Sequence, residues 1–447
     1  MNDLPANVNR FSWRDLCPWT LLFRTLPAAT SLPVLVFALL GVVLTPIGWE
    51  ISEFVFVSDE MLEKQPSLAE MVNRQGSPYA GFFTEVENEE RTLEAWGDQI
   101  RGPQAVFQKL VQPFRLMFDS HRSLREFYYA LSGSVWTMLV WSFFGLGITR
   151  VCLLRLTRDE RVGIDDAFEY SFQKFPTAML AVSLPLLAVF LFCLPTFLLG
   201  LFLGFDLGTV IVGAIWAVVL LLSAVMAILL LGLLFGWPLI ISSVACEGQN
   251  SFDAMTRGFA YTFQRPLNYL LYALVSILFG GFCWLIAAQF TEGVIQLSYW
   301  STSWGANLTA DGRAEWIEQG QSIIPGENRA GVEVGDGANE AETGAETSGV
   351  VGSSSLQMGR SLIGFWNGLA RTVCVAFLYG LFWCLAAAGY LLLRRDVDEM
   401  EMDEIFVVDE RRTYDLPPLK SDESGIPQVQ PLDENPPEEA VDKSENE

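Results

Sequence analysis

AMLAVSLPLLAVFLFCLPTFLLGLFL (178–203) and TVIVGAIWAVVLLLSAVMAILLLGLLFG (209–236) are two apolar runs parted by GFDLG (204–208), in which Asp206 is the single charge. A segment needs roughly 20 mainly apolar residues to cross about 30 Å of hydrocarbon. Both runs are long enough, and neither has the polar side that a soluble helix turns to water, so they read as a membrane-spanning hairpin. Four further segments of the same kind flank them, at 30–48, 131–149, 267–289 and 372–393. The expected fold is an all-α integral membrane protein with six transmembrane helices. The first segment lies behind FSWRDLCPWTLLFRTLP (11–27) and no small-x-small cleavage pattern follows it, so it is read as a retained anchor, not a signal peptide.

Beside 51% hydrophobic residues, the 447-residue chain carries 52 Asp+Glu against 28 Lys+Arg, a net charge of -24. Acid and grease therefore occupy different stretches. An excess of acid offers no positive field for a polyanion, which argues against nucleic acid as a partner. The partners expected are membrane lipid and a protein docking on the acidic tail. His121 is the single histidine, and the seven cysteines (Cys17, Cys152, Cys193, Cys246, Cys283, Cys374 and Cys384) match no zinc spacing. No metal, cofactor or disulfide framework is expected.

Arginines near the span ends set the orientation. Arg10, Arg14 and Arg24 precede the first span, and Arg150, Arg155, Arg158 and Arg161 follow the second. Arg257 and Arg265 precede the fifth, and Arg394 and Arg395 follow the sixth. With six spans all of these fall on one side, so a multi-pass protein of the cell membrane with both termini in the cytoplasm is expected. Arg115, Arg122 and Arg125 lie on the other side and oppose the sum.

The chain then divides into a cytoplasmic amphipathic N-terminus (1–29), the first span, an extracytoplasmic loop (49–130), a four-span core (131–289), a second extracytoplasmic linker (290–371), the last span and an acidic cytoplasmic tail (394–447). Within the first loop, FQKLVQPFRLMF and LREFYYA interleave aromatic and charged residues, a pattern for interfacial helices over 103–129. The linker is dense in Gly, Glu, Ala and Ser over 304–356. It is expected to be disordered, because it has too little apolar surface to offset chain entropy. The tail beyond 410 is expected to be disordered for the same reason.

The core carries an internal repeat. AFEYSFQK (167–174) and GFAYTFQR (258–265) lie 91 residues apart, and the same shift lays the second span on the fourth and the third on the fifth. A match in the charged connector of equivalent helices points to duplication, here of a helix-elbow-helix unit. Phe168, Phe172 and Phe175 share one helical face, as do Phe259 and Phe263. Each elbow is expected to lie in the inner interface with Phe168, Phe172, Phe259 and Phe263 in the headgroup region. Lys174, Arg257 and Arg265 would stay wet or meet phosphates, which makes these seven the candidate lipid or partner contacts. Pro176 and Pro266 are expected to turn the chain into the next span, Pro185 and Pro195 to kink the third, and Gly236-Trp237-Pro238 to end the fourth.

The second to fifth spans hold no charge in their apolar cores, which argues against ion-coupled transport. Asp165 and Asp166 are adjacent and splay apart on a helix, so they read as caps and not as a catalytic pair. No enzyme activity is expected. EGQNSFDAMTRGFAYTFQRPLNYL (247–270) resembles the loop-and-elbow element of bacterial multi-pass proteins related to the membrane domain found beside glycerophosphodiester phosphodiesterases. Glu247, Gly248, Asp253, Ala254 and Arg265 carry the likeness, which extends over about 155–290. It implies a bacterial inner-membrane protein and brings no catalytic residue, since the phosphodiesterase domain is missing. A scaffold contacting lipid and protein is the first expectation for function. A transporter or lipid-handling protein without ion coupling is the second, favoured by a polar cavity reached from Asn268 or Gln289.

Overall fold

A computed structural model of the protein describes residues 17–58, 66–79, 82–83, 102–117, 124–309, 354–400 and 405–406. All but Phe406 belong to one unit, Met1–Ile405. After a 3-10 turn (Pro18–Arg24) come α1 (Thr25–Ala29), α2 (Leu32–Phe56), α3 (Pro66–Gly76), α4 (Gly102–Met117), α5 (Leu124–Arg158) and α6 (Ile164–Phe202). They are followed by α7 (Asp206–Ala214), α8 (Trp216–Glu247), α9 (Ser251–Gln264), α10 (Pro266–Thr309) and α11 (Ser354–Asp398). Six of these, α2, α5, α6, α8, α10 and α11, are long and apolar enough to cross a membrane. The protein is a multi-pass α-helical membrane protein with a repeated core.

Packing is graded across the bundle. In the most apolar stretch of α5, 83% of residues are buried, and in that of α11, 78%; in α8 the share is 6%. Helices α5 and α11 are therefore the centre, and α8 turns its Leu and Ile side chains to lipid. Small residues let the central helices approach, as membrane bundles require where lipid tails are as apolar as leucine. Gly133 receives the ring of Trp49 and Gly48 that of Trp136, so closely that a Cβ would stand 2.2 and 2.0 Å from ring carbons. The two indoles end on polar partners, Trp49 Nε1 donating to Thr137 Oγ1 (3.0 Å) and Trp136 Nε1 to the Leu44 carbonyl (2.9 Å). Deeper in, Trp141 stacks on Tyr379 with centroids 4.5 Å apart, and Trp383 meets Trp237 edge-on at 5.3 Å.

Several expectations are corrected. Helix α6 runs unbroken from Ile164 through Pro176, Pro185 and Pro195 to Phe202, so the first elbow continues into its span without a turn. Helix α8 likewise passes through Pro238 and ends at Glu247, with Gly248 in the left-handed conformation that closes a helix (φ 61°). The break near the start of the fourth span lies instead at Ile215, between α7 and α8. Helices α10 and α11 extend beyond the expected ends of their spans, at Gln289 and Thr372, into the linker. Arg371 forms a bidentate pair with Glu292 (2.8 and 3.1 Å), and the amide of Asn367 donates to the Tyr299 hydroxyl (2.7 Å). Helix therefore replaces the expected disorder at 304–309 and 354–356. The rest of that segment, the tail from 407 and the N-terminus before 17 lie outside the described residues, so the placement of both termini does too.

Helix α4 departs most from expectation. It does not lie apart in the interface but crosses the bundle within the depth of the spans. Gly102 abuts Trp284 and Leu378, Pro103 abuts Gly280, and Phe107 stacks against Trp237. Its one lysine is buried, with Lys109 Nζ donating to the Ser77 carbonyl (2.9 Å) and lying 5.2 Å from the centre of the Phe82 ring.

Candidate functional site

Two features stand out, a charged hub at the connector end of the bundle and an apolar cavity at mid-span. The hub forms where α8, α9 and α11 end together. Glu247 is the last residue of α8, and its Oε1 takes Arg257 (2.7 Å, from α9), Arg394 (3.2 Å, from α11) and the Tyr390 hydroxyl (2.7 Å). Arg257 also reaches Asp398 at 3.5 Å, and the Tyr261 hydroxyl donates to the same carboxylate. Burial and then the Asp398 carboxylate push the Tyr261 hydroxyl well above the usual phenol range. For Arg257 burial opposes the charge, but Glu247 and the neighbouring tyrosines outweigh it, and the guanidinium is held above its ordinary value.

The first elbow serves the same helix end differently. The Tyr170 hydroxyl donates to the carbonyls of Val244 (2.9 Å) and Ala245 (3.2 Å), Arg150 to Ala245 (3.0 Å) and Lys174 Nζ to Gly248 (2.8 Å). The last turn of a helix leaves its carbonyls without intrahelical donors, and two cations with a phenol supply them here. The cap of the elbow itself is Gly163, whose N–H donates to Asp166 (3.3 Å). This agrees with a capping role for Asp166.

The seven candidate contacts therefore separate. Lys174 and Arg257 are engaged inside the protein. Phe168 packs between Phe37 (4.4 Å) and Phe143 (6.0 Å), and Phe259 wedges onto Gly232 and stacks on Phe263. Phe172, at 69% exposure, Phe263, at 46%, and Arg265 face outward. Asn268, named above as an entrance to a polar cavity, instead donates to Asp396 (2.9 Å).

The mid-span cavity is apolar. It has a volume of about 440 Å³ and lies between α4, α5, α6 and α8, where Leu110 and Phe114 face Trp141, Leu186, Leu231 and Trp237. Neither Asn268 nor Gln289 lines it. On α8, Leu231 is 48% exposed and Ala227 is exposed, so the cavity opens sideways at the depth of the hydrocarbon. Beyond that point the hairpin of α6 and α8 is exposed on most sides, from Leu187 and Phe190 to Leu221 and Ile228. The cavity is the crevice left as the hairpin leaves the bundle, with α4 closing its other wall. Sequence reasoning missed it because the crossing of α4 carries no motif. The signal was there in Leu110, Val111 and Phe114, one apolar face next to a proline-containing turn of the helix.

Among the described residues no group of three or more His, Cys, Asp or Glu is placed to hold a metal. Compared with protein-family models, with curated proteins and with solved structures, the chain matches none.

Proposed function

We propose that this protein handles lipid, and that its crevice takes one hydrocarbon chain out of the bilayer and holds it against the duplicated core. The observation that carries the reading is a cavity of about 440 Å³, within the range of small-molecule sites, with hydrocarbon and aromatic walls and a mid-span opening. Transfer from lipid to such a wall gains little hydrophobic energy, because both sides are equally apolar. Selection therefore comes from shape, as rings of Trp141, Trp237 and Phe114 fit a flexible chain by dispersion. The spans hold no charge in their cores, which suits a ligand that needs no ion to move. The arginines of the connector end support a cytoplasmic orientation for that end.

The test is photolabelling with a phospholipid carrying a diazirine in its acyl chain, followed by peptide mapping in native-lipid particles. Enriched labelling of 110–114 and 230–237, lost when Ala227→Trp and Leu186→Trp fill the crevice, is the expected result. Labelling spread evenly over the lipid-facing residues 190–221, unchanged by the filled variants, would show that lipid is only solvent here.

The scaffold reading keeps one observation of its own. Past the salt bridge Arg371–Glu292, α10 exposes Leu297, Trp300 and Trp304, and α11 exposes Met358, Leu362 and Trp366. At about 1.5 Å per residue the 44 residues of α10 reach roughly 66 Å, about twice the hydrocarbon thickness. Those aromatics are a surface for a protein partner, and a stoichiometric partner lost on mutating Trp300 and Trp304 to Ser would favour that role.

A further inference from the structure

A second cavity, also of about 440 Å³, lies at the connector end, between the start of α2 and the loop joining α5 to α6. It is independent of the crevice, and its walls are of two kinds. Leu32, Pro33, Val151 and Val162 give it apolar lining; Ser31, Arg155, Glu160 and Arg161 give it polar lining. Leu32 is 66% exposed although it opens a membrane span, so the apolar side is continuous with the lipid-facing surface. Arg155 is half-buried and Arg161 exposed, and neither has a carboxylate within ion-pair distance among the described residues. Glu160 shares the cavity without pairing with either.

We propose that this cavity holds the phosphate of an anionic phospholipid, with Arg155 and Arg161 as its ligands and Leu32 and Val162 beside the first acyl carbons. Two guanidiniums and one carboxylate leave the cavity with a net positive charge, and guanidinium forks match the tetrahedral oxygens of a phosphate. The start of α2 adds to the same field. Its N-cap hydroxyl, Ser31 Oγ, donates backward to the Ala28 carbonyl (2.6 Å) and so does not cap the helix. A phosphate held here also sits where six spans of this length place the headgroup layer, at the end of α5 and the beginning of α2. Glu160 sets the selectivity: it disfavours a second negative charge beside the phosphate, and a lipid of single negative charge is the preferred occupant.

The experiment is native mass spectrometry of the detergent-purified full chain with phosphatidylglycerol and phosphatidylcholine added in equal amounts. The wild type is expected to retain phosphatidylglycerol preferentially. The double variant R155Q/R161Q should lose that preference by roughly 10-fold to 30-fold, the scale of two basic residues near an anionic headgroup. R155K/R161K should keep only part of it, since an ammonium carries the charge without the fork, and E160Q should raise it. The proposal is overturned if R155Q/R161Q retains the preference with its thermal transition intact, if E160Q lowers the preference, or if wild type holds both lipids equally. Displacement of the bound lipid by inorganic phosphate alone, at equal concentration, would likewise overturn it and assign the cavity to a soluble anion.

Discussion

Two elbows built from almost the same words end differently. Phe168-Glu169-Tyr170-Ser171-Phe172-Gln173-Lys174 flows into its span as one helix, whereas Phe259-Ala260-Tyr261-Thr262-Phe263-Gln264-Arg265 stops, with Arg265 at φ -129° and ψ 59° before Pro266. The proline is shifted by one residue. In the second copy the residue before the proline, Arg265, leaves the helical region, as pre-proline residues prefer; in the first, the residue before the proline, Phe175, stays helical, and the helix survives Pro176 with one hydrogen bond, to the Phe172 carbonyl, lost. Neighbours complete the difference. Tyr170 and Lys174 hold the end of α8, which the duplication placed beside them. Tyr261 and Arg257 meet α11, which has no counterpart in the first copy, and turn to Asp398 and Glu247. A repeat thus transmits which face is apolar, while the backbone path and the polar partners depend on what stands next to each copy.

The largest expected effect lies in the second copy. Glu247→Ala leaves Arg394, whose side chain is 4% exposed, buried beside Arg257 with no carboxylate at the centre of the hub. Removing one member of a buried pair costs about 3–5 kcal/mol. Lys174→Met in the first copy removes one charge-assisted bond from a half-exposed site, worth about 1 kcal/mol after allowing for screening. Thermal unfolding of both variants in one detergent measures the difference. Equal losses would mean that the two elbows are held with equal strength, and the asymmetry described above would then be geometric only.

A smaller effect tests the proline directly. Phe175→Pro with Pro176→Leu gives the first elbow the order of the second, and a helix break at Lys174 should follow at a cost of roughly 3 kcal/mol. Spin labels on the exposed positions Asp166 and Leu180 report it: 14 residues of unbroken helix hold them at about 21 Å, and a break changes that distance by several ångströms. An unchanged distance would show that the hold of Tyr170 and Lys174 on α8 decides the path, and that the proline register does not.

The spans were legible because hydrocarbon imposes a length and forbids charge, so six apolar runs could mean little else. The duplication was legible because Phe-x-Tyr-x-Phe-Gln-basic recurs in a connector where composition alone would not repeat it. Pro176 and Pro238 misled, since a proline in a membrane helix loses one backbone bond that packing on both sides of it tolerates. Helix α4 misled for another reason. Lys109 and Arg115 gave it the charged face of an interfacial helix, but Lys109 is satisfied inside by the Ser77 carbonyl and the Phe82 ring, partners far away in sequence. The hub was half legible. Glu247 and Arg257 lie ten residues apart in one connector, but Arg394, Tyr390 and Asp398 come from the last span, and no local pattern foretells that α11 ends against α8.

The smallest effect separates the two basic ends of the repeat. Lys174 is spent on the Gly248 carbonyl, whereas Arg265 is exposed and has no hydrogen-bond or ion-pair partner among the described residues. Arg265→Gln should therefore change stability by less than about 0.5 kcal/mol, as surface substitutions do, and should leave the hub intact, since Arg257 and Arg394 both remain on Glu247. The readout is the thermal transition of Arg265→Gln beside that of Lys174→Met. A loss for Arg265→Gln as large as that for Lys174→Met would mean that Arg265 also holds a carbonyl or carboxylate of the protein, and the second elbow would then be anchored at both of its ends. With no loss, the guanidinium is left to the headgroup layer beside Phe263, and the divergence of the copies has released one cation from structural duty.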